Sequence, residues 1–132
     1  MSNFEYRSIS GYKYQLTADF VYKTSIHRMF STEDEWIKLE NDGTILIAKG
    51  YAWDGCSGPT WDDKYNMKAG LVHDALYQML EEGLLEINYR GEVDREFRKI
   101  LKSEGMSSWR AWYYYKAVRM FGARSIKSHE KD

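Results

Sequence analysis

The stretch that decides the fold is residues 66–83, NMKAGLVHDALYQMLEEG. Its apolar residues recur at steps of three and four, the spacing of one face of an α-helix: Ala69, Val72, Leu76 and Met79. Asn66 is a residue type that commonly caps the start of a helix, and Gly83 is one that commonly ends a helix. We therefore predict a first helix over about 66–82.

Two further helices are predicted downstream of this stretch. The second covers about 90–104, ends near Gly105 and has an apolar stripe at Val93, Phe97, Ile100 and Leu101. The third covers about 107–121 and begins at a capping serine, Ser107 or Ser108. Its large apolar residues are Trp109, Trp112, Tyr113, Ala117, Met120 and Phe121. Residues 127–132 are predicted to form a polar tail.

The chain before the first helix is typical of β-strands, over about 5–53. The turn sequence Asn41-Asp42-Gly43 separates two apolar runs and predicts a hairpin. A loop, DGCSGP at 54–59, contains two glycines and the only proline, and it separates the strands from the helices. Strands followed by helices predict an α+β fold, with a single domain over 1–126.

Composition excludes several classes of protein. The chain has 132 residues, which suffices for one hydrophobic core, and its single cysteine cannot form an internal disulfide. A formal charge of -1 provides no general field for nucleic acid, so we expect no nucleic-acid partner. The N-terminus lacks the pattern of a signal peptide, and no apolar run is long enough to span a membrane. We expect synthesis in the cytoplasm.

The sequence LVHDALY at 71–77 holds the strongest candidates for chemistry. His73 and Tyr77 are four residues apart, which places them on one face of the predicted helix. Asp94 lies near the apolar stripe of the second helix, where Arg90, Arg95 and Arg98 are expected to point outward. A histidine with a carboxylate behind it has the arrangement of an oriented general base, and Asp74 would remain to bind a cation.

The glycine-containing loop could complete a cation site. Calcium accepts backbone carbonyls as well as carboxylates, and glycines allow a loop to turn its carbonyls inward. With Ca²⁺ as cofactor, the ion would polarise an ester carbonyl while His73 takes a proton from water. The chemistry predicted from these residues is ester hydrolysis.

Four segments together resemble a family of small phage and prophage proteins known as a domain of unknown function. They are residues 54–59, His73 to Tyr77, Asp94 to Phe97, and Ala117 to Gly122, and the resemblance extends over about Gly11 to Gly122. It implies a phage origin and an α+β fold. It implies no activity. A phage origin means synthesis in an infected bacterium, and we expect a calcium-dependent enzyme to be packaged in the virion or released at lysis, because free calcium is scarce in the cytoplasm.

A second resemblance is to phospholipase A2, above all the disulfide-free form of parvovirus capsids. It rests on the glycine-containing loop, the His-Asp-x-x-Tyr helix and the later Asp. The resemblance implies that His73 is the base, that Asp94 orients it and that Tyr77 hydrogen-bonds Asp94. It also implies a metal site formed by Asp74 with carbonyls around Gly55, Ser57 and Gly58. Pro59 and the strand-rich first third depart from that family's pattern.

Other interpretations of these residues stay open. His73, Asp74, Tyr77 and Asp94 could form a structural polar cluster in a non-catalytic phage accessory protein that docks on virion proteins. An HD-type metal phosphohydrolase would need an upstream histidine, for which His27 is the only candidate. Cys56 could be a nucleophile, although a small residue packed under a turn is the simpler explanation.

The third helix and its tail carry six Lys and Arg against Glu130 and Asp132. A basic, aromatic helix can lie on an anionic membrane, with Trp109, Trp112, Lys116 and Arg119 as the contacting residues. The alternative, which we favour, is that Trp109, Trp112, Tyr113 and Met120 form the core stripe of this helix.

Overall fold

The computed structural model describes residues 4–10, 13–55 and 65–130. The chain divides into two compact units, Met1–Asp54 and Gly55–Asp132. The first contains the strands and the second contains the helices, so the predicted α+β class is confirmed. The single domain over 1–126 stays a prediction.

The first unit consists of two antiparallel sheets. Its strands are β1 (Tyr6–Ser10), β2 (Lys13–Leu16), β3 (Phe20–Lys23), β4 (Thr32–Glu33), β5 (Ile37–Leu39), β6 (Thr44–Ile47) and β7 (Ala52–Trp53). One sheet has the strand order β1-β2-β7, and the other has the order β3-β6-β5-β4. The predicted hairpin at 41–43 joins β5 to β6, with Leu39 opposite Ile45 and Ile37 opposite Ile47. These four side chains are buried.

The hairpin turn closes through local hydrogen bonds. The Thr44 backbone N–H donates to Asp42 Oδ1 at 2.9 Å. The backbone and side-chain hydrogen bonds from Thr44 lower the pKa of Asp42 to about 2. Gly43 has φ +98°, a conformation that L residues rarely adopt, and its carbonyl accepts a hydrogen bond from Thr24 Oγ1 at 2.7 Å. The turn sequence therefore sets the register of β5 and β6.

The second unit consists of α1 (Met67–Glu81), a 3₁₀ turn (Ile87–Tyr89), α2 (Arg90–Ser103) and α3 (Ser108–Glu130). Helix α2 packs against both α1 and α3. Helix α1 ends as predicted, because Gly83 has φ +76° and the Leu84 N–H donates to the Met79 carbonyl at 2.9 Å. None of the helices among the described residues has both the length and the apolar character needed to cross a membrane.

Two local predictions need correction, and one is confirmed. Asn66 occupies the N-cap position of α1, but its side chain makes no capping hydrogen bond. At the start of α3, Ser107 is the predicted serine that forms the cap, since its Oγ accepts a hydrogen bond from the Arg110 N–H at 3.3 Å. Helix α3 does not end at 121 but runs to Glu130, because Gly122 continues the helix and no proline follows it.

The predicted core stripe of α3 was wrong. Trp109, Trp112, Tyr113, Met120 and Phe121 are all exposed. The buried side of the helix consists instead of Ala111, Tyr114, Ala117 and Val118. Most of these residues are small, and small side chains let helices approach closely. The core of this unit is therefore formed without the largest apolar residues of α3.

Candidate functional site

His73 and Tyr77 lie one turn apart on α1 and face α2. Their ring centroids are 4.2 Å apart, and the His73 ring lies 4.9 Å from that of Phe97 on α2. His73 is 5% exposed and Tyr77 is 7% exposed. Both polar side chains are thus held inside the helical unit, where their polar atoms require partners.

Asp94 of α2 supplies the acceptor for both side chains. The carboxylate is fully buried. Its Oδ1 accepts hydrogen bonds from His73 Nε2 and from the Tyr77 hydroxyl, each at 2.8 Å. Its Oδ2 accepts a hydrogen bond from Arg119 Nη1 of α3, also at 2.8 Å. One carboxylate therefore joins all three helices.

These partners keep Asp94 ionised. Burial alone would raise its pKa, but the hydrogen bonds of His73, Tyr77 and Arg119, together with the charge of His73 when the imidazole is protonated, outweigh burial. The pKa of Asp94 consequently lies below its ordinary value. An ionised carboxylate only accepts hydrogen bonds, so His73 Nε2 must carry a proton. In the neutral imidazole the lone pair is then on Nδ1.

No other hydrogen bond to the His73 imidazole occurs within the part of the chain that the structure describes. Its Nδ1 therefore combines a lone pair with no hydrogen-bond donor from those residues. This is the arrangement required of a general base, in which one ring nitrogen is oriented by a carboxylate and the other accepts the proton.

Arg90 binds two of the residues that contact Asp94. Its Nε donates to the Tyr77 hydroxyl oxygen at 3.1 Å, and its Nη2 donates to the Arg119 carbonyl at 2.7 Å. Tyr77 thus accepts from Arg90 while it donates to Asp94. Burial and the negative charge of Asp94 raise the pKa of Tyr77 above its ordinary value. The expectation that Arg90 points outward was wrong, because two acceptors inside the helical unit bind its guanidinium.

Helix α3 contributes two residues that sequence analysis did not place in the site. Arg119, grouped there with the membrane-contacting residues, binds Asp94. A Cβ atom at Gly122 would lie 2.8 Å from Cε2 and 2.9 Å from Cζ of Tyr77, so only glycine fits there. One sequence feature could have placed Arg119 and Gly122 in the site: both follow closely after the small residues Ala117 and Val118, which let a helix pack against its neighbours.

Comparison with known proteins identifies a family. A model of proteins of unknown function, DUF1353, matches residues 32–118, about two-thirds of the chain. The chain belongs to the DUF1353 family. The predicted resemblance to a domain of unknown function is therefore confirmed, whereas the phage origin and the phospholipase A2 resemblance stay predictions. No curated protein and no solved structure matches the chain.

The DUF1353 match covers much of the site. It includes His73, Tyr77, Arg90 and Asp94, and it ends one residue before Arg119. The imidazole, the phenol and the carboxylate therefore all lie within the region that the family model matches.

The predicted metal ligands are only partly described. Asp74 follows His73 on α1 and is half-buried. Gly55 is buried and has φ +88°, whereas Ser57, Gly58 and also Cys56 lie outside the described residues. Among residues 4–10, 13–55 and 65–130, no three or more His, Cys, Asp or Glu side chains form a group that could hold a metal ion. A calcium site here would thus depend on backbone carbonyls as well as Asp74.

The HD-type interpretation gains no support from the described residues. His27 is exposed and lies in the first unit, between β3 and β4. His73 lies in the second unit and has Asp94 on its Nε2. The three-ligand group that such an enzyme needs is not found among the residues that are described.

Proposed function

We propose that this DUF1353 protein is a hydrolase of carboxylic esters in which His73 is the general base. The observation that carries the proposal is the 2.8 Å hydrogen bond between His73 Nε2 and a buried, ionised Asp94. This contact holds the imidazole in one orientation and in the tautomer with its lone pair on Nδ1. An oriented base contributes a rate factor of about 10² to 10⁴.

In the proposed reaction, a water molecule attacks the ester carbonyl carbon as His73 Nδ1 takes its proton. The imidazole then carries a positive charge, which the Asp94 carboxylate stabilises. Collapse of the tetrahedral intermediate breaks the bond to the leaving alkoxide, which receives the proton from Nδ1. The products are a carboxylic acid and an alcohol, and the imidazole returns to its starting state.

The other members of the network support Asp94 in this role. Arg119 binds the second carboxylate oxygen, so the charge of Asp94 is balanced without occupying Oδ1. Tyr77 donates to Oδ1 beside His73, and Arg90 orients the Tyr77 hydroxyl. Each of these groups acts through Asp94 and is a positioning residue.

We include calcium in the proposal, with Asp74 and the carbonyls of Gly55, Ser57 and Gly58 as its ligands. All of these donors are oxygens, the ligand type that calcium prefers, and Gly55 has the positive φ that only glycine adopts readily. A bound calcium ion would polarise the ester carbonyl. A phage enzyme of this kind would act from the virion or at lysis, where calcium is more plentiful than in the cytoplasm.

The experiment measures hydrolysis of a soluble p-nitrophenyl ester and of phospholipid vesicles, with calcium and with a chelator. His73→Gln is expected to lower kcat at least about 10²-fold without unfolding the protein. His27→Gln is the matched control, because His27 is exposed and lies in the first unit. A folded wild-type protein that hydrolyses neither substrate, or full activity in His73→Gln, would contradict the proposal.

A separate measurement tests the metal. Calorimetric titration with calcium should show binding to the wild type and none to Asp74→Asn. Glu92→Gln, an exposed acidic position on α2, is the control and should bind calcium like the wild type. Unchanged binding in Asp74→Asn, or none in the wild type, would remove calcium from the proposal.

One observation favours a second function. His73 is nearly buried, and the Asp94 cluster ties α1, α2 and α3 together, as a structural cluster would. The chain would then be a non-catalytic accessory protein that docks on virion proteins. In that case His73→Gln lowers the free energy of unfolding, the wild type hydrolyses no ester, and the protein co-purifies with assembled particles.

A further inference from the structure

Helix α3 presents large apolar side chains to solvent. The exposed fractions are 72% for Trp109, 47% for Trp112, 42% for Tyr113, 68% for Met120 and 39% for Phe121. Four of these, Trp109, Trp112, Tyr113 and Met120, share one side of the helix with Lys116 at spacings of three and four residues. We call these five residues the outer face of α3.

The outer face is not required for packing within the helical unit. The opposite side of α3 makes that contact through Ala111, Tyr114, Ala117 and Val118, which are buried. Arg119 is bound to Asp94. Exposed aromatic and apolar side chains that are neighbours on one side of a helix are typical of a surface that binds a partner.

The charge of α3 indicates the chemistry of its partner. Residues 108–129 contain Arg110, Lys116, Arg119, Arg124 and Lys127 and no acidic residue, in a chain whose net charge is -1. Because Asp94 balances the charge of Arg119, the other four cations account for the positive charge of this stretch. The Lys116 ammonium lies 5.9 Å from the centre of the Trp112 ring, within the outer face itself. The partner is therefore expected to be anionic as well as apolar.

We propose that the outer face of α3 lies in the headgroup region of an anionic lipid surface. Tryptophan and tyrosine favour that region because their rings are apolar while each ring retains a polar group. Lys116 can place its aliphatic stem along the apolar layer and its ammonium among lipid phosphates. Met120 contributes an apolar side chain that enters the acyl boundary.

Two other partners fit less well. Single-stranded nucleic acid binds by stacking its bases on aromatic rings. Met120 has no ring, so base stacking does not account for its place in the outer face. Trp109 and Tyr113 also lie nearly parallel, at 6.4 Å and 10°, so they cover part of each other. A symmetric dimer through this face would bring Lys116 towards the outer face of the second copy, which carries the same positive charge, and like charges repel.

This inference goes beyond the proposed function and does not depend on it. Membrane binding is measured with ether-linked phospholipids, which carry no ester for the proposed reaction. A failure of hydrolysis therefore leaves the binding result intact, and the reverse also holds.

The experiment compares vesicles of ether-linked phosphatidylcholine alone with vesicles that also contain ether-linked phosphatidylglycerol. Binding is measured by co-sedimentation and by the blue shift of tryptophan fluorescence. Trp109→Ala is expected to weaken binding to the anionic vesicles about tenfold, and Lys116→Gln about fivefold. Both positions are exposed, so these variants should fold.

The control variants remove similar side chains elsewhere in the same unit. Ile87→Ala removes an apolar side chain that is 54% exposed, and Lys102→Gln removes an exposed cation on α2. Both should bind like the wild type. The proposal is overturned if neutral and anionic vesicles bind equally, or if Trp109→Ala binds like its control. It is also overturned if the wild type is a dimer that Trp109→Ala dissociates, or if it binds oligonucleotides but not vesicles.

Discussion

Gly122 of helix α3 lies directly against the phenol ring of Tyr77 on helix α1. Tyr77 in turn donates its hydroxyl proton to Asp94 of α2. The smallest residue in the chain thus lets a third helix approach the carboxylate that holds His73. A substitution at Gly122 should therefore disturb the position of the His73 imidazole, although it replaces no titratable residue.

Gly122→Ala should destabilise the protein by about 1–3 kcal/mol, because the added methyl overlaps the Tyr77 ring and the core must shift. Gly91→Ala is the control: its Cβ would lie 3.4 Å from the end of the Arg95 side chain and 3.7 Å from Arg119 Nη1, both ordinary contact distances. That change should be neutral or stabilising by up to about 1 kcal/mol, as alanine favours helices. Urea denaturation followed by circular dichroism measures both. Equal stability of the two variants would show that the close contact is unimportant.

Asp94→Asn should destabilise the folded state strongly, because it leaves Arg119 without its buried counter-charge. Removing one partner of a buried pair costs about 3–5 kcal/mol, and we expect the lower end because the Arg119 side chain is 35% exposed. Glu92→Gln, on the exposed side of α2, should change the free energy of unfolding by less than about 0.5 kcal/mol. A loss in Asp94→Asn as small as that control would contradict the ion pair.

The pH dependence of stability should follow from the same carboxylate. The pKa of Asp94 in the folded state is lowered from the ordinary value of 3.8. The contribution of Asp94 to the free energy of unfolding is therefore complete above pH 3.8. This contribution is lost as the pH falls through the lower, folded-state pKa. Urea denaturation across acidic pH should show this loss in the wild type. If the stability of the wild type changed with acidic pH as little as that of Asp94→Asn, the pH dependence would not come from Asp94.

Tyr77→Phe should lower the free energy of unfolding by about 1–3 kcal/mol, because Asp94 loses a donor and Arg90 Nε loses its acceptor. The folded-state pKa of Tyr77 is raised above 10.0. The contribution of Tyr77 to the free energy of unfolding is therefore present below pH 10.0 and is lost as the pH rises through the raised value. Stability measured from neutral to alkaline pH should show this loss in the wild type. Tyr115→Phe, at a half-buried position, is the control and should keep the wild-type alkaline limb.

Gly43→Ala should destabilise the β5–β6 hairpin by about 1–3 kcal/mol from backbone strain alone. A Cβ at Gly43 would also lie 2.5 Å from the Thr24 carbonyl oxygen. Gly50→Ala is a close control, since Gly50 has the same φ of +98° but its Cβ would meet only the Trp36 side chain, at 3.2 Å. Amide hydrogen exchange over 37–47 should increase more in Gly43→Ala. Equal exchange in the two variants would exclude the steric effect.

The sequence by itself determined the local elements. Apolar spacing located α1 and α2 to within a residue or two, because the period of a helix follows from backbone geometry. Asn41-Asp42-Gly43 located the hairpin, because few residues tolerate the conformation at Gly43. The same spacing placed His73 and Tyr77 on one face of α1.

Only the tertiary structure decided which faces meet. Helix α3 carries two apolar sides. The side with the larger residues was predicted to be buried, whereas the smaller residues pack inward beside Gly122. Periodicity shows which residues share a face, but close packing decides which face is buried. The inward turn of Arg119 follows from the same cause, because a buried carboxylate at Asp94 requires partners that neighbouring helices supply. Arg90 turns inward because its acceptors, the Tyr77 hydroxyl and the Arg119 carbonyl, lie on those neighbouring helices.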